Sequence, residues 1–144
     1  MTARAALQVP TQPGRLSKIH VGLKLHQNCF SGTLPSELGR LSLLQIVSLH
    51  SNKLSGTLPT QFGGLSEVSG GVVLSDNDIS GTIPSQIGQL SKLEYFSVQE
   101  NKLSGTIPDV YASLSELNLW DTFNNKLEGD LPSSICLLPH LPFL

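Results

Sequence analysis

The chain has 144 residues, enough for a single domain, and its nine basic and eleven acidic residues leave a formal net charge of −2. No basic run or acidic block is present, so the sequence predicts no nucleic-acid partner and no membrane-surface partner. No apolar stretch approaches the roughly 18 residues of a transmembrane helix, and residues 1–10 do not form a secretory signal peptide.

The chain contains one sequence pattern repeated five times. Five asparagines mark it, at spacings of 24, 25, 24 and 24 residues: Asn28, Asn52, Asn77, Asn101 and Asn125. Each is followed three residues later by Ser-Gly-Thr-Leu/Ile-Pro, or by Glu-Gly-Asp-Leu-Pro in the fifth copy. Gly and Pro here indicate the turns of a return path.

Alternating apolar residues precede each asparagine, and this period of two predicts a short strand. One such unit cannot bury its apolar face alone, so stacked copies must share a core and align their strands as a parallel sheet. The asparagine amide offers both a donor and an acceptor. We therefore expect the asparagines to face inward and to bond backbone groups at the turn between successive repeats.

The unit L-x-x-L-x-x-L-x-L-x-x-N-x-L-S-G-x-I/L-P-x-x-I/L-G-x resembles the plant-type class of leucine-rich repeats. That class occurs in receptor-like kinase ectodomains, polygalacturonase-inhibiting proteins and algal and diatom proteins. The resemblance implies an α/β-type solenoid: a right-handed, curved superhelix with a concave parallel sheet and an irregular or 3-10 convex side. It also implies an extracellular or cell-surface location and recognition of proteins, peptides or wall polysaccharides, although the chain contains no N-x-S/T glycosylation site.

The five repeats cover residues 16–137. Residues 1–15 match the second half of a preceding repeat, and residues 138–144 match the start of a truncated sixth. Neither end has a recognisable cap, and solenoids need polar caps to cover their open ends. We therefore expect the chain to be part of a longer array.

Three local departures from the repeat carry further predictions. Repeats one and three have an extra residue before the strand, and their glycines indicate a bulge or tight bend. Trp120 is expected to fill the widening end of the core, with a ligand contact as the alternative. Cys29 and Cys136 lie four rungs apart, about 19 Å, which is too far for a disulfide. Cys136 is expected to be a buried apolar thiol, or else the former partner of a cysteine in a missing cap.

Side chains between the apolar strand positions should face the concave surface, which is where solenoids bind their partners. The predicted ligand-binding residues are Lys24, His26, Ser48, His50, Val73, Ser75, Tyr95, Ser97, Gln99, Asp121 and Phe123. Tyr95 and Phe123 are the predicted anchors, because aromatic residues dominate binding hot spots. The alternative is that these are ordinary surface positions and that the binding site lies elsewhere in a longer array.

No catalytic triad, phosphate-binding loop or zincin motif is present, so the sequence predicts no enzyme and no cofactor. His26 and His50 should approach each other on adjacent rungs, but a metal site usually needs further ligands, and their column continues with Ser75 and Gln99. No metal site is predicted.

The sequence therefore favours a non-catalytic recognition module for a protein or peptide. One alternative, implied by the resemblance, is an inhibitor of a cell-wall glycosidase. Another is a structural or surface-coating protein, in which a threonine ladder could bind ice or polysaccharide, although β-propensity explains the ladder more simply. The ladder consists of Thr33, Thr57, Thr82 and Thr106.

Overall fold

The computed structural model describes residues 21–138, and within them each repeat forms one rung. A rung consists of a short strand, the asparagine turn, a second strand and a 3-10 helix. The first strands are β1 Leu23–Lys24, β3 Ile46–Ser48, β5 Gly71–Val73, β7 Tyr95–Ser97 and β9 Leu119–Asp121. The second strands are β2 Ser31–Thr33, β4 Lys53–Thr57, β6 Asp78–Gly81, β8 Lys102–Gly105 and β10 Lys126–Leu127. The 3-10 helices are η1 Ser36–Arg40, η2 Thr60–Gly64, η3 Ser85–Gln89, η4 Tyr111–Ser113 and η5 Ser133–Leu137.

The first strands form a parallel sheet in the order β1-β3-β5-β7-β9, so each rung lies beside the next along the chain. Equivalent core positions are in register, as Val47 with Val72 and Phe96 with Trp120 show. The predicted curved solenoid, with one parallel sheet and a 3-10 return path, is confirmed.

The second strands form another parallel sheet, β10-β8-β6-β4-β2, which the sequence did not lead us to expect. Its glycines make the close stacking possible. Gly56 has a φ of 79°, and a Cβ atom there would lie 2.7 Å from Cγ2 of Thr33 in the preceding repeat. Each threonine methyl thus packs on the bare backbone of the next glycine, an approach that a side chain would prevent.

Apolar side chains from both sets of strands, from the turns and from the 3-10 helices build one continuous core. Its largest side chain, Trp120, is 1% exposed. The Trp120 ring lies 4.4 Å from the Phe96 ring, tilted by 30°, and makes a T-shaped contact with the Tyr111 ring at 5.1 Å. The predicted core position of Trp120 is confirmed. Burial raises the pKa of the Tyr111 hydroxyl well above its usual value.

The asparagines form the expected hydrogen-bonded ladder between rungs. In the third repeat, the Asn77 amide donates to the carbonyls of Leu49, in the preceding repeat, at 3.1 Å and of Leu74 at 3.0 Å. Its oxygen accepts the backbone N–H of Leu54 at 2.9 Å. Asn52, Asn101 and Asn125 make equivalent bonds. The prediction of inward-facing amides that bond both donors and acceptors of the backbone is confirmed.

The extra residue of the third repeat is accommodated by glycines, as predicted. Gly71 has a φ of 117° and still pairs with Ile46. A Cβ atom on Gly71 would lie 2.7 Å from the carbonyl oxygen of Tyr95, and one on Gly70 would lie 2.6 Å from Cγ1 of Ile46. Glycine is therefore required at both positions, where the chain bends into β5.

Both cysteines are free and exposed, so the expected burial of Cys136 is wrong. Cys136 occupies the position in its 3-10 helix that Gly39 and Gly63 occupy in theirs. A Cβ atom on Gly39 would run into the carbonyl of Gln61 in the following repeat, at 1.9 Å. This position points along the stack toward the next rung, and so Cys136 points away from the four rungs before it.

The predicted half-repeat at residues 1–15 and residues 139–144 of the predicted sixth repeat lie outside the described residues. These domain boundaries stay predictions. Within residues 21–138, no helix is long and apolar enough to cross a membrane.

Candidate ligand-binding surface

The predicted binding residues lie on the concave face of the first sheet, but they differ in how exposed their side chains are. Lys24, Tyr95 and Phe123 are exposed, and the two aromatic rings retain 41% and 72% of their surface. His26, His50, Val73, Ser75, Gln99 and Asp121 are half-buried. Ser48 and Ser97, expected at the surface, are buried, because a serine side chain is short and ends close to the sheet. Their side chains form the base, or floor, of this face, and the longer side chains stand above them.

The N-terminal part of this face carries two stacked imidazoles. The ring centroids of His26 and His50 are 4.6 Å apart, with the planes 8° from parallel. Nδ1 of His26 lies 3.2 Å from the Ser48 hydroxyl, and Nδ1 of His50 lies 3.2 Å from the Ser51 hydroxyl. Desolvation lowers the pKa of His50 and the neighbouring His26 lowers it further, while Asp76 opposes the shift. The neutral form of His50 is therefore favoured.

Across residues 21–138, no group of three or more His, Cys, Asp or Glu side chains is placed to hold a metal ion. The predicted approach of His26 and His50 is confirmed as a ring stack.

A shallow groove of about 500 Å³ crosses the centre of the sheet. Val73, Ser75, Ser97 and Gln99 line it together with His50, Tyr95 and Asp121. Asp76 and Leu119 also line it, although they are not among the predicted binding residues. Both stand in outward-facing columns, so the strand alternation could have identified them.

The groove ends at an acidic and aromatic group of side chains. Ser97 pairs with Asp121 across β7 and β9, and Tyr95 pairs with Leu119. Oδ1 of Asp121 accepts the backbone N–H of Phe123 at 3.1 Å, which fixes the carboxylate. A second groove, of about 470 Å³, continues past Asp121 to Phe123. The sheet thus changes from imidazoles at one end to a carboxylate between aromatic rings at the other.

Comparison with known proteins agrees with this architecture. The sequence model of the Leucine Rich Repeat family matches residues 43–65 and 72–90. Among solved structures, the plant peptide hormone receptor RGFR1 in complex with RGF2 is 34% identical and superposes with a TM-score of 0.87 over 96% of this chain. The chain is a plant-type leucine-rich-repeat protein.

Two further leucine-rich-repeat structures from Arabidopsis resemble this one. The receptor kinase HAESA, in complex with the peptide hormone IDA and the co-receptor SERK1, is 31% identical, with a TM-score of 0.83 over 86% of this chain. The BIR3–SERK2 complex of Arabidopsis thaliana contains a chain 32% identical, with a TM-score of 0.74 over 81% of this chain. Comparison with curated protein sequences finds no significant match.

This leucine-rich-repeat chain is short beside its structural relatives. It covers 22% of the RGFR1 chain, 21% of the HAESA chain and 62% of the matched chain in the BIR3–SERK2 complex. What these larger proteins bind is therefore a basis for proposals about this chain.

Proposed function

We propose that this chain is a recognition module that binds a protein or peptide across its concave sheet. The observation that carries the proposal is the contrast between a repeating frame and an outer face that does not repeat. Most core positions are filled by similar apolar residues from rung to rung, whereas the outward columns change from imidazole to hydroxyl, amide, carboxylate and aromatic ring. Solenoid concavities with varied side chains are suited to extended ligands.

The related structures support the same class of partner. Two are complexes of plant receptors with peptide hormones or a co-receptor, and they share the fold of this chain over most of its length. By this analogy we propose that the module works outside the cell or at its surface, as part of a larger receptor-like leucine-rich-repeat protein, and that it binds rather than catalyses.

Tyr95 and Phe123 are the proposed anchors of the bound segment. Both rings are large, exposed and adjacent to the groove. Covering such a ring on binding removes apolar area from water at the cost of fixing only two side-chain torsions, so each should contribute on the order of 1–2 kcal/mol. Loss of both rings should therefore weaken a ligand by roughly tenfold or more.

A displayed library of random linear peptides tests the proposal, because it needs no known ligand. Peptides selected on the wild-type chain should bind the double variant Tyr95→Ala/Phe123→Ala much more weakly. The matched control removes two exposed apolar side chains elsewhere, Val21→Ala/Leu43→Ala, and should bind as the wild type does. Selected peptides that bind both variants equally well would place the interaction away from the concave sheet and refute the proposal.

The two alternative functions have weaker support. Thr33, Thr57, Thr82 and Thr106 are exposed in register along the second sheet. Each methyl, however, packs on the glycine of the next rung, so the ladder already has a structural role. Inhibition of a cell-wall glycosidase stays a hypothesis, which an assay of polygalacturonase with micromolar protein tests directly.

A further inference from the structure

The C-terminal half of the concave sheet has a strong bias of charge. The strand segments of repeats three to five, residues 70–76, 94–100 and 118–124, contain four acidic residues and no lysine or arginine. The acids are Asp76, Glu94, Glu100 and Asp121. Of these, Asp121 stands on the sheet itself, between the two grooves, and lines both of them. Its carboxylate is therefore available to a ligand that follows the face from one groove to the other.

The floor beside Asp121 carries an unused hydrogen-bonding group. Ser97, paired with Asp121, is only 7% exposed and lines the central groove. Its counterpart two rungs earlier, Ser48, lies at hydrogen-bond distance from the His26 ring, but the Ser97 hydroxyl has no partner within the described part of the chain. Because Ser97 lines the groove, its hydroxyl is open to a hydrogen bond with a ligand group that reaches the floor.

Two aromatic rings flank the same point. Along β9 and the residues after it, Leu119, Asp121 and Phe123 face the same side, about 7 Å from one to the next. Tyr95 stands beside Leu119 on the neighbouring strand. A group placed over Ser97 and Asp121 therefore lies between the Tyr95 and Phe123 rings, whose faces attract cations within about 6 Å.

We infer that Asp121, Ser97, Tyr95 and Phe123 form a subsite for an arginine side chain of the bound protein or peptide. The guanidinium group suits all four: it is positively charged, it donates several hydrogen bonds in one plane, and it stacks on aromatic faces. Oδ1 of Asp121 accepts the Phe123 N–H, which leaves Oδ2 to accept from the ligand. The inference rests on the proposed function, to which it adds the chemistry of one ligand residue.

The test uses a small probe and does not depend on finding the natural ligand. N-acetyl-arginine methylamide is titrated into the ¹⁵N-labelled chain, and amide shifts are followed by NMR. The N–H of Phe123 reports the Asp121 carboxylate directly, because the two are hydrogen-bonded. Saturable shifts are expected at Ser97, Asp121 and Phe123 at millimolar probe. The matched citrulline probe, which has the same shape without the charge, should give none.

Three variants define the site. Asp121→Asn should weaken arginine binding by about fivefold or more, because it removes the charge from the hydrogen-bonding partner. Tyr95→Ala should weaken it by about threefold. Asp130→Asn, which removes an exposed acid outside the first sheet, should leave it unchanged. Equal binding of the citrulline probe, or equal effects of Asp121→Asn and Asp130→Asn, would overturn the inference.

The failure of this inference and that of the proposed function have different signatures. If library peptides depend on Tyr95 and Phe123 but bind the Asp121→Asn variant unchanged, the recognition module stands and the arginine subsite is wrong. If the arginine probe binds as expected while library peptides bind without the two rings, the subsite stands and the proposed peptide-binding surface is wrong.

Discussion

Replacement of Asn77 by alanine removes one step of the asparagine ladder, and its cost can be worked out group by group. The N–H of Leu54 loses its acceptor, and Leu54 is fully buried. The carbonyls of Leu49 and Leu74 each lose one donor but keep a second, from Asn52 and Asn101 respectively. The carbonyl of Ser75 also loses one donor and keeps the N–H of Ser51. One orphaned buried donor costs about 1–3 kcal/mol and each of the three weakened carbonyls about 0.5–1 kcal/mol, so the total is about 2.5–6 kcal/mol.

Urea denaturation followed by the fluorescence of Trp120, the only tryptophan, measures this loss. Asn28→Ala is the matched control, because Asn28 is exposed and its described bonds stay within its own repeat; it should cost about 1 kcal/mol. Asn77→Asp should be nearly as harmful as alanine at neutral pH, since a carboxylate would face three carbonyl oxygens. A loss below about 1 kcal/mol for Asn77→Ala would show that Leu54 finds another acceptor and would refute the reasoning.

Three further predictions concern the glycine bend, the core and the histidine stack. Gly71→Ala should destabilise by about 3 kcal/mol or more, because alanine is strained at this φ and its Cβ would strike the Tyr95 carbonyl. Tyr111→Phe should raise the free energy of unfolding by about 1 kcal/mol, because the buried Tyr111 hydroxyl has no partner among the described residues. For His50 the folded pKa is lowered, so its contribution to stability is present above pH 6.5 and is lost as pH falls through the lowered value. The Tm of the wild type should therefore fall more steeply from pH 7 to pH 5 than the Tm of the His50→Gln variant.

Each of these predictions has a matched control. Gly22→Ala should cost less than Gly71→Ala, since the φ of Gly22 is not positive and its Cβ would lie 3.3 Å from Cβ and 3.4 Å from the carbonyl oxygen of Ile46, against 2.7 Å from the Tyr95 carbonyl oxygen for Gly71. Tyr95→Phe removes a hydroxyl from an exposed ring and should not change stability, so a gain confined to Tyr111→Phe identifies the buried oxygen as the cause. His26→Gln removes one source of the His50 shift and should give an intermediate pH dependence. Parallel pH profiles for all three proteins would contradict this account.

The sequence is most informative about contacts between equivalent positions of successive repeats. The apolar strand positions, the asparagine ladder and the approach of His26 to His50 follow from spacing alone. Trp120 was also correctly placed in the core, because its column is apolar in the other repeats. Each of these features needs only the rise of one rung and a fixed register, and 24-residue spacing supplies both.

Other features depend on geometry that the repeat pattern does not encode. The second sheet was missed because Ser-Gly-Thr indicates a turn, whereas the positive φ of Gly56 lets the segment pair with its neighbours. The burial of Ser97 depends on how far the side chains around it on β7 and β9 extend from the sheet. Cys136 was expected to be buried because cysteine usually is, but its position in the turn points along the stack.

The asparagine ladder gives the stack a direction. Each amide oxygen accepts a backbone N–H of the preceding repeat: Asn101 accepts from Ile79, and Asn125 accepts from Leu103. Any structure that follows a rung must therefore offer that rung an acceptor, while any structure that precedes a rung must offer it a donor. The two faces of a rung are chemically different, so engineered terminators for such an array cannot be exchanged between its ends, and a grafted repeat joins in only one orientation.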